Sequence, residues 1–181
     1  VPTAIADDPV LAMGVYETVC GAFVRRAHAP SGDRDGETAE RALERAFTAF
    51  DYARPHHERS WTSFFGASRL GSLAVSSYGR LGHRETDSLA GSLLSVLSPT
   101  ETKVRALVVA DLALSAATRS DVDRADELAA EALPLAVRTE ASLAQDRLWE
   151  LTVVLPQDSG RGTAEALRQR VTSGLLASFQ A

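Results

Sequence analysis

Apolar residues recur along most of the chain at three- and four-residue intervals, the spacing that lines one face of an α-helix, and no stretch alternates convincingly at period two. The first helix opens at Asp8-Pro9, an N-cap followed by proline at the first helical position. It carries Val15, Val19 and Phe23, with Ala12, Tyr16, Cys20 and Ala27 beside them, as far as Ala29-Pro30. After a polar turn from Ser31 to Gly36, a second helix from about Glu37 to Ala53 places Leu43, Phe47 and Phe50 on one face and Arg41 and Arg45 on another. Together these make a hairpin at about 8–53. Arg54 to Ser60 is an irregular connection whose Pro55 stops the helix before it, and Trp61, Phe64 and Phe65 open the next with an aromatic cluster.

Two further hairpins, about 61–98 and 100–138, share a common pattern. The first reads Arg69-Leu70-Gly71-Ser72-Leu73-Ala74, Tyr78, a turn at Leu81-Gly82, and Pro99 at its end. Asp87 and Gly91 stand in its second helix where alanine and an aromatic would suit close packing better. The second hairpin has Leu112-Ala113, a turn over Arg119-Ser120-Asp121-Val122-Asp123, then Ala125, Ala129 and Ala132 where two helices must approach closely. Equivalent positions lie about 36 to 38 residues apart, close to the roughly 34-residue tetratricopeptide period, in which each hairpin stacks on a neighbour to cover its apolar face. A helix at about 140–155 carries Leu143, Leu148, Trp149, Leu151 and Val154. Pro156 to Gly162 forms a turn, and Thr163 caps a last helix, about 163–180, with a stripe of Leu167, Val171, Leu175 and Phe179. That stripe either closes the stack or pairs with a second copy of the chain. The expected fold is all-α: a tetratricopeptide-like stack of antiparallel hairpins with a C-terminal capping helix, forming one domain over 1–181.

The order Trp61…Phe65, Arg69-Leu70-Gly71, Tyr78…Leu81-Gly82, Lys103 to Leu107, Asp111-Leu112-Ala113, Val122-Asp123, Ala130 to Leu135, Thr139 and Arg147 to Leu151 resembles the tetratricopeptide-like C-terminal region of actinobacterial helix-turn-helix transcriptional regulators. The resemblance covers about half the chain, Trp61 to Leu155. It implies a helical region that senses a ligand or mediates assembly, attached in a larger parent protein to a DNA-binding domain. The chain shows no such domain before its helical hairpins, and its first residue is not methionine, as expected of a fragment or of a processed protein. A free-standing adaptor is the alternative.

Composition narrows these choices. Aromatics are 6% of the chain and alanine is abundant, which suits closely packed helices better than a sandwich or barrel. A net charge of −5 argues against direct nucleic-acid contact, which rests on clustered cations. Lys103 is the only lysine among 19 basic residues, a bias that points to a GC-rich genome rather than to chemistry. Cys20 is alone, so no intramolecular disulfide can form, and a cytoplasmic setting fits. The start lacks the basic and apolar segments of a secretory signal. The most apolar run, Val104 to Ala117, is interrupted by Arg105 and Asp111 and is too short to span a bilayer.

Candidate chemistry is sparse. Arg54-Pro55-His56-His57-Glu58 is the densest cluster of potential metal ligands, but adjacent residues point apart, so a solvated loop is expected and no metal or other cofactor. Cys20 falls on an apolar face, and His28 and His83 fall near helix ends. Asp111 interrupts an apolar helix and must be paired, with Arg69 or Arg147 as the candidate arginine, or must face a ligand. Arg69, Ser72, Ser76 and Arg80 form a stripe able to grip a carboxylate or peptide terminus. The matching stripe of the next hairpin, Leu107, Ala110, Leu114 and Ala117, is apolar, and is either open to an amphipathic ligand or covered by the helix at 140–155. With no phosphate loop, nucleophile elbow or dinucleotide fingerprint, the expected function is not enzymatic. Binding of a peptide, small acid or partner protein through Arg69, Ser72, Ser76, Arg80 and Asp111 is expected instead.

Overall fold

In a computed structural model of the chain, residues 41, 43–45, 47–48, 67–156 and 162–178 are described. The expected first helix with Cys20 and His28, the Arg54 to Glu58 run, the aromatic cluster at Trp61, Phe64 and Phe65, and Phe179 lie outside the described residues. Every regular element among the described residues is an α-helix. Six are continuous: α1 Ala67–Leu81, α2 Thr86–Val96, α3 Thr102–Thr118, α4 Val122–Arg138, α5 Ser142–Val154 and α6 Gly162–Ser178. These helices lie within the ranges expected for the hairpins at about 61–98 and 100–138 and for the two terminal helices, while most of the expected hairpin at 8–53 lies outside the described residues. The chain falls into two compact units, Val1–Ser77 and Tyr78–Ala181, with the division inside α1.

Within the second unit α3 is the central element. It packs against α2, α4 and α5, while α6 packs against α4 and α5, and α4 meets α5. Ala106 and every residue from Val108 to Ala117 are buried, as befits a helix apolar on all sides. Alanines allow the close approach that this enclosure requires. Ala125, Ala129, Ala132 and Ala136 of α4 have no exposed surface, in agreement with the spacing expected of the second hairpin. In α2 the fully buried small residue is Ala90, whereas Gly91 faces open space. The C-terminal turn of α1 also lies close to α3: a Cβ on Gly79 would stand 3.4 Å from the Asp111 carbonyl oxygen and 3.6 Å from the Ser115 Cβ.

Three helices end in the same way. His83 N–H donates to the Tyr78 carbonyl and Gly82 N–H to Gly79; Asp121 donates to Ala116 and Ser120 to Ala117; Ala141 donates to Ala136 and Glu140 to Val137. Each set is a Schellman motif, which satisfies carbonyls that a helix end leaves open by placing one residue in the left-handed region. That residue is Gly82 at φ 63°, Ser120 at φ 63° and Glu140 at φ 52°. Asp121 adds a cap to the next helix, its carboxylate accepting from Arg124 N–H at 3.1 Å. α2 and α5 end instead on extended leucines, Leu97 and Leu155, and Pro156 imposes that conformation on Leu155.

Side chains of following helices also reach carbonyls near these helix ends. Arg105 Nη2 donates to the Leu94 carbonyl at 3.3 Å, and Gln145 Nε2 to Ala136 at 3.1 Å. Arg168 donates from Nε to Thr152 at 3.2 Å and from Nη2 to Leu155 at 3.1 Å. Pro134 lies inside α4. Both Pro134 and Ala130, whose carbonyl loses its helical donor, are exposed, so water can serve the orphan group.

Left-handed serine and glutamate carry a steric cost that glycine does not. Ser120→Gly and Glu140→Gly are therefore each expected to raise unfolding free energy by about 0.5–1 kcal/mol, and Gly82→Ala to lower it by about 1 kcal/mol. Urea titration at unchanged m-value reads this; no gain in either glycine variant would show that these turns carry no strain.

Candidate functional site

Asp111 stands in the middle of α3 with a side chain 1% exposed, where an unpartnered carboxylate would be very costly. α5 supplies the countercharge. Arg147 Nε donates to Asp111 Oδ1 at 2.9 Å, so of the two arginines named by sequence pattern, Arg147 is the partner found. Arg147 extends further: its Nη1 lies 3.3 and 3.4 Å from the two oxygens of Glu150, three residues along the same helix. Glu150 in turn accepts from Arg80 Nη2 at 2.6 and 2.8 Å, a contact that reaches α5 from the end of α1. Two cations and two carboxylates are thus linked in the order Asp111, Arg147, Glu150, Arg80.

The four members differ in their access to water. Arg147 and Arg80 are 13% and 15% exposed and Asp111 is sealed, whereas the Glu150 side chain is 41% exposed. The inner pair fixes helix packing. The outer carboxylate is the member that solvent, and anything dissolved in it, can reach.

Of the expected binding residues, Arg80 and Asp111 are therefore brought together, through Arg147 and Glu150. Ser72 and Ser76 are buried, and the Ser72 hydroxyl donates to the Arg69 carbonyl of its own helix at 2.9 Å. Arg69 is exposed. Ala110, Leu114 and Ala117 of the apolar stripe are buried and Leu107 is half-buried, with α5 packed on α3; this matches the covered arrangement rather than the open one. Glu150 is a participant that the sequence pattern does not single out. Its signal is faint: a carboxylate one turn from Arg147, in a helix otherwise carrying Leu143, Leu148, Leu151 and Val154.

His83 follows the left-handed Gly82, its ring centroid 4.3 Å from that of Tyr78 and its Nδ1 accepting from Glu85 N–H at 3.2 Å. These contacts fasten the turn between α1 and α2. Among the described residues no group of three or more His, Cys, Asp or Glu side chains is arranged to hold a metal ion, and no helix is long and apolar enough to cross a membrane. Compared with known proteins, the chain matches no family model, no curated protein and no solved structure.

Removing one partner of a buried pair strands the other charge. Arg147→Leu is expected to destabilise the chain by about 3–5 kcal/mol, and the double variant Asp111→Leu/Arg147→Leu to recover most of that loss. A double-mutant cycle from denaturant titrations measures the coupling; additive losses would mean that the two groups act independently.

Proposed function

We propose that this chain is a non-enzymatic helical-repeat domain, a tetratricopeptide-like stack of hairpins closed by α6, that serves as the ligand-sensing part of a transcriptional regulator. The observation that carries the reading is the packing of α3 to α6. Each helix meets its hairpin partner, and α3 meets α5 as α4 meets α6, the pairing by which successive hairpins of a repeat stack extend a surface. The resemblance of the stretch from Trp61 to Leu155 to the C-terminal regions of helix-turn-helix regulators adds the regulatory role.

In this reading the binding surface centres on Arg80 and Glu150, with Arg147 and the buried Asp111 behind them. A ligand there acts by its different affinity for two arrangements of the helices that the ion pairs join, and this difference is transmitted to a DNA-binding domain elsewhere in the parent protein. A small acid or peptide terminus suits the two arginines. The free-standing adaptor differs in having no DNA-binding partner domain, so an in-frame helix-turn-helix encoded upstream of Val1 separates the two.

Isothermal titration of the chain against a panel of small carboxylic acids and short peptides with free C-termini is expected to yield at least one saturable ligand with Kd below about 1 mM. The same ligand should slow hydrogen exchange in α3 and α5. A panel without a saturable binder rejects the sensing role.

A further inference from the structure

The seam between α3 and α5 is built on a pattern that α5 carries a second time on its outer side. In α3, Val108-x-x-Asp111-x-x-Leu114 sets a carboxylate between two apolar residues at three-residue spacing, and all three are buried. Arg147 of α5 meets that carboxylate at 2.9 Å. α5 itself reads Leu143-x-x-Asp146-x-x-Trp149, the same classes of side chain at the same spacing. The two stretches lie about 35 residues apart, close to the repeat period.

On α5 the pattern is open. Ala144, Leu148 and Leu151 are buried on its inner side, where Arg147 reaches Asp111. Ser142, Asp146, Trp149 and Val153 recur at four-, three- and four-residue intervals on the opposite side. Asp146 is exposed, and among the described residues it makes no hydrogen bond or ion pair. Around it, Val153 is 81% and Leu143 48% exposed, while Trp149 is half-buried. With Val154 as well, α5 carries more exposed large apolar side chains than any other described helix. Scattered singly such residues mean little, but grouped about an unpaired charge they mark a contact surface.

The seam already formed shows what fits such a surface. α3 receives a helix whose arginine stands among Ala144, Leu148 and Leu151, so the cation answers the carboxylate while apolar neighbours exclude water. A second copy of the chain has that side of its own α5 buried and cannot offer it. A nucleic acid would bring negative charge to Asp146.

We propose that the outer side of α5 receives an α-helix of a partner protein, one that carries an arginine between alanine and leucine residues and sets it on Asp146. The stack is thereby extended by one helix. From Ser142 to Val153 the surface is about 16 Å long, so three turns of the partner fill it. The contact is independent of ligand sensing at Arg80 and Glu150.

The probe is a fluorescent synthetic peptide with the sequence of Ser142 to Leu155, hydrocarbon-stapled between the positions of Asp146 and Glu150. The staple holds the peptide helical from the side away from the contact and removes two of its own acids. Anisotropy titration with the full chain is expected to give saturable binding with Kd below about 0.1 mM. In the protein, Asp146→Asn should weaken binding by about tenfold and Val153→Glu by at least as much, while Leu176→Glu on α6 should leave it unchanged. Asp146→Arg should abolish binding of the probe and restore it for a probe carrying Arg147→Glu. All four protein substitutions fall at exposed positions, and thermal melts establish that each variant is folded. Absence of saturable binding up to about 1 mM overturns the proposal. So does equal binding by Asp146→Asn and Val153→Glu, or failure of the reversed charge pair. Self-association of the chain in sedimentation that is lost in Asp146→Asn would place a second copy on this surface and overturn the partner helix.

Discussion

A carboxylate inside a helix that is enclosed on every side is the constraint from which the rest of the second unit follows. Helices lined with alanine and leucine pack well over a range of offsets, because apolar contact is non-directional. Asp111 removes that freedom. It must meet a cation, so α5 has to lie against α3 at the offset that brings Arg147 Nε to 2.9 Å. A buried ion pair of this kind adds little net stability compared with a well-packed apolar pair, and its best-attested role is to fix alignment. With α5 so aligned, Glu150 lies beside Arg80 at the exposed end of the linked side chains.

That dependence joins folding to binding. Arg147, which sets how α5 sits on α3, stands within a single helical turn of Glu150, the residue that solvent reaches. A change at Glu150 is therefore felt first by Arg147 and only then by the α3 interface, where Asp111 allows little movement. Coupling of this sort needs no long pathway, since one guanidinium touches both carboxylates.

Much of the architecture was legible in the order of residues. Helical periodicity located α1 to α6, and alanine at four- and three-residue intervals located the close face of α4, because both signals are local and repeat many times. Asp111 was legible as a group needing a partner, since a lone acid among valines and leucines has few solutions. Which arginine answers it was not, because Arg69 and Arg147 are chemically identical and the choice depends on how helices stack. Glu150 escaped notice for the opposite reason: an Arg-x-x-Glu spacing on a helix reads as an ordinary surface pair, and its meaning comes from Arg80, 70 residues away. The ends of α3 and α4 held a further surprise. The turns announced no glycine, yet Ser120 and Glu140 adopt the conformation for which Gly82 is the usual residue, held there by the same pair of backbone bonds.

The clasp at the end of the chain has a dynamic consequence. The last carbonyls of α5 are met by Arg168 of α6 rather than by a left-handed turn of their own, so unwinding α6 exposes polar groups at the end of its neighbour. Fraying that starts at the C-terminal helix is thereby passed on to the helix that bears Arg147 and Glu150. The two should open as one cooperative segment, with matching protection from solvent exchange, while α3 remains closed beneath them.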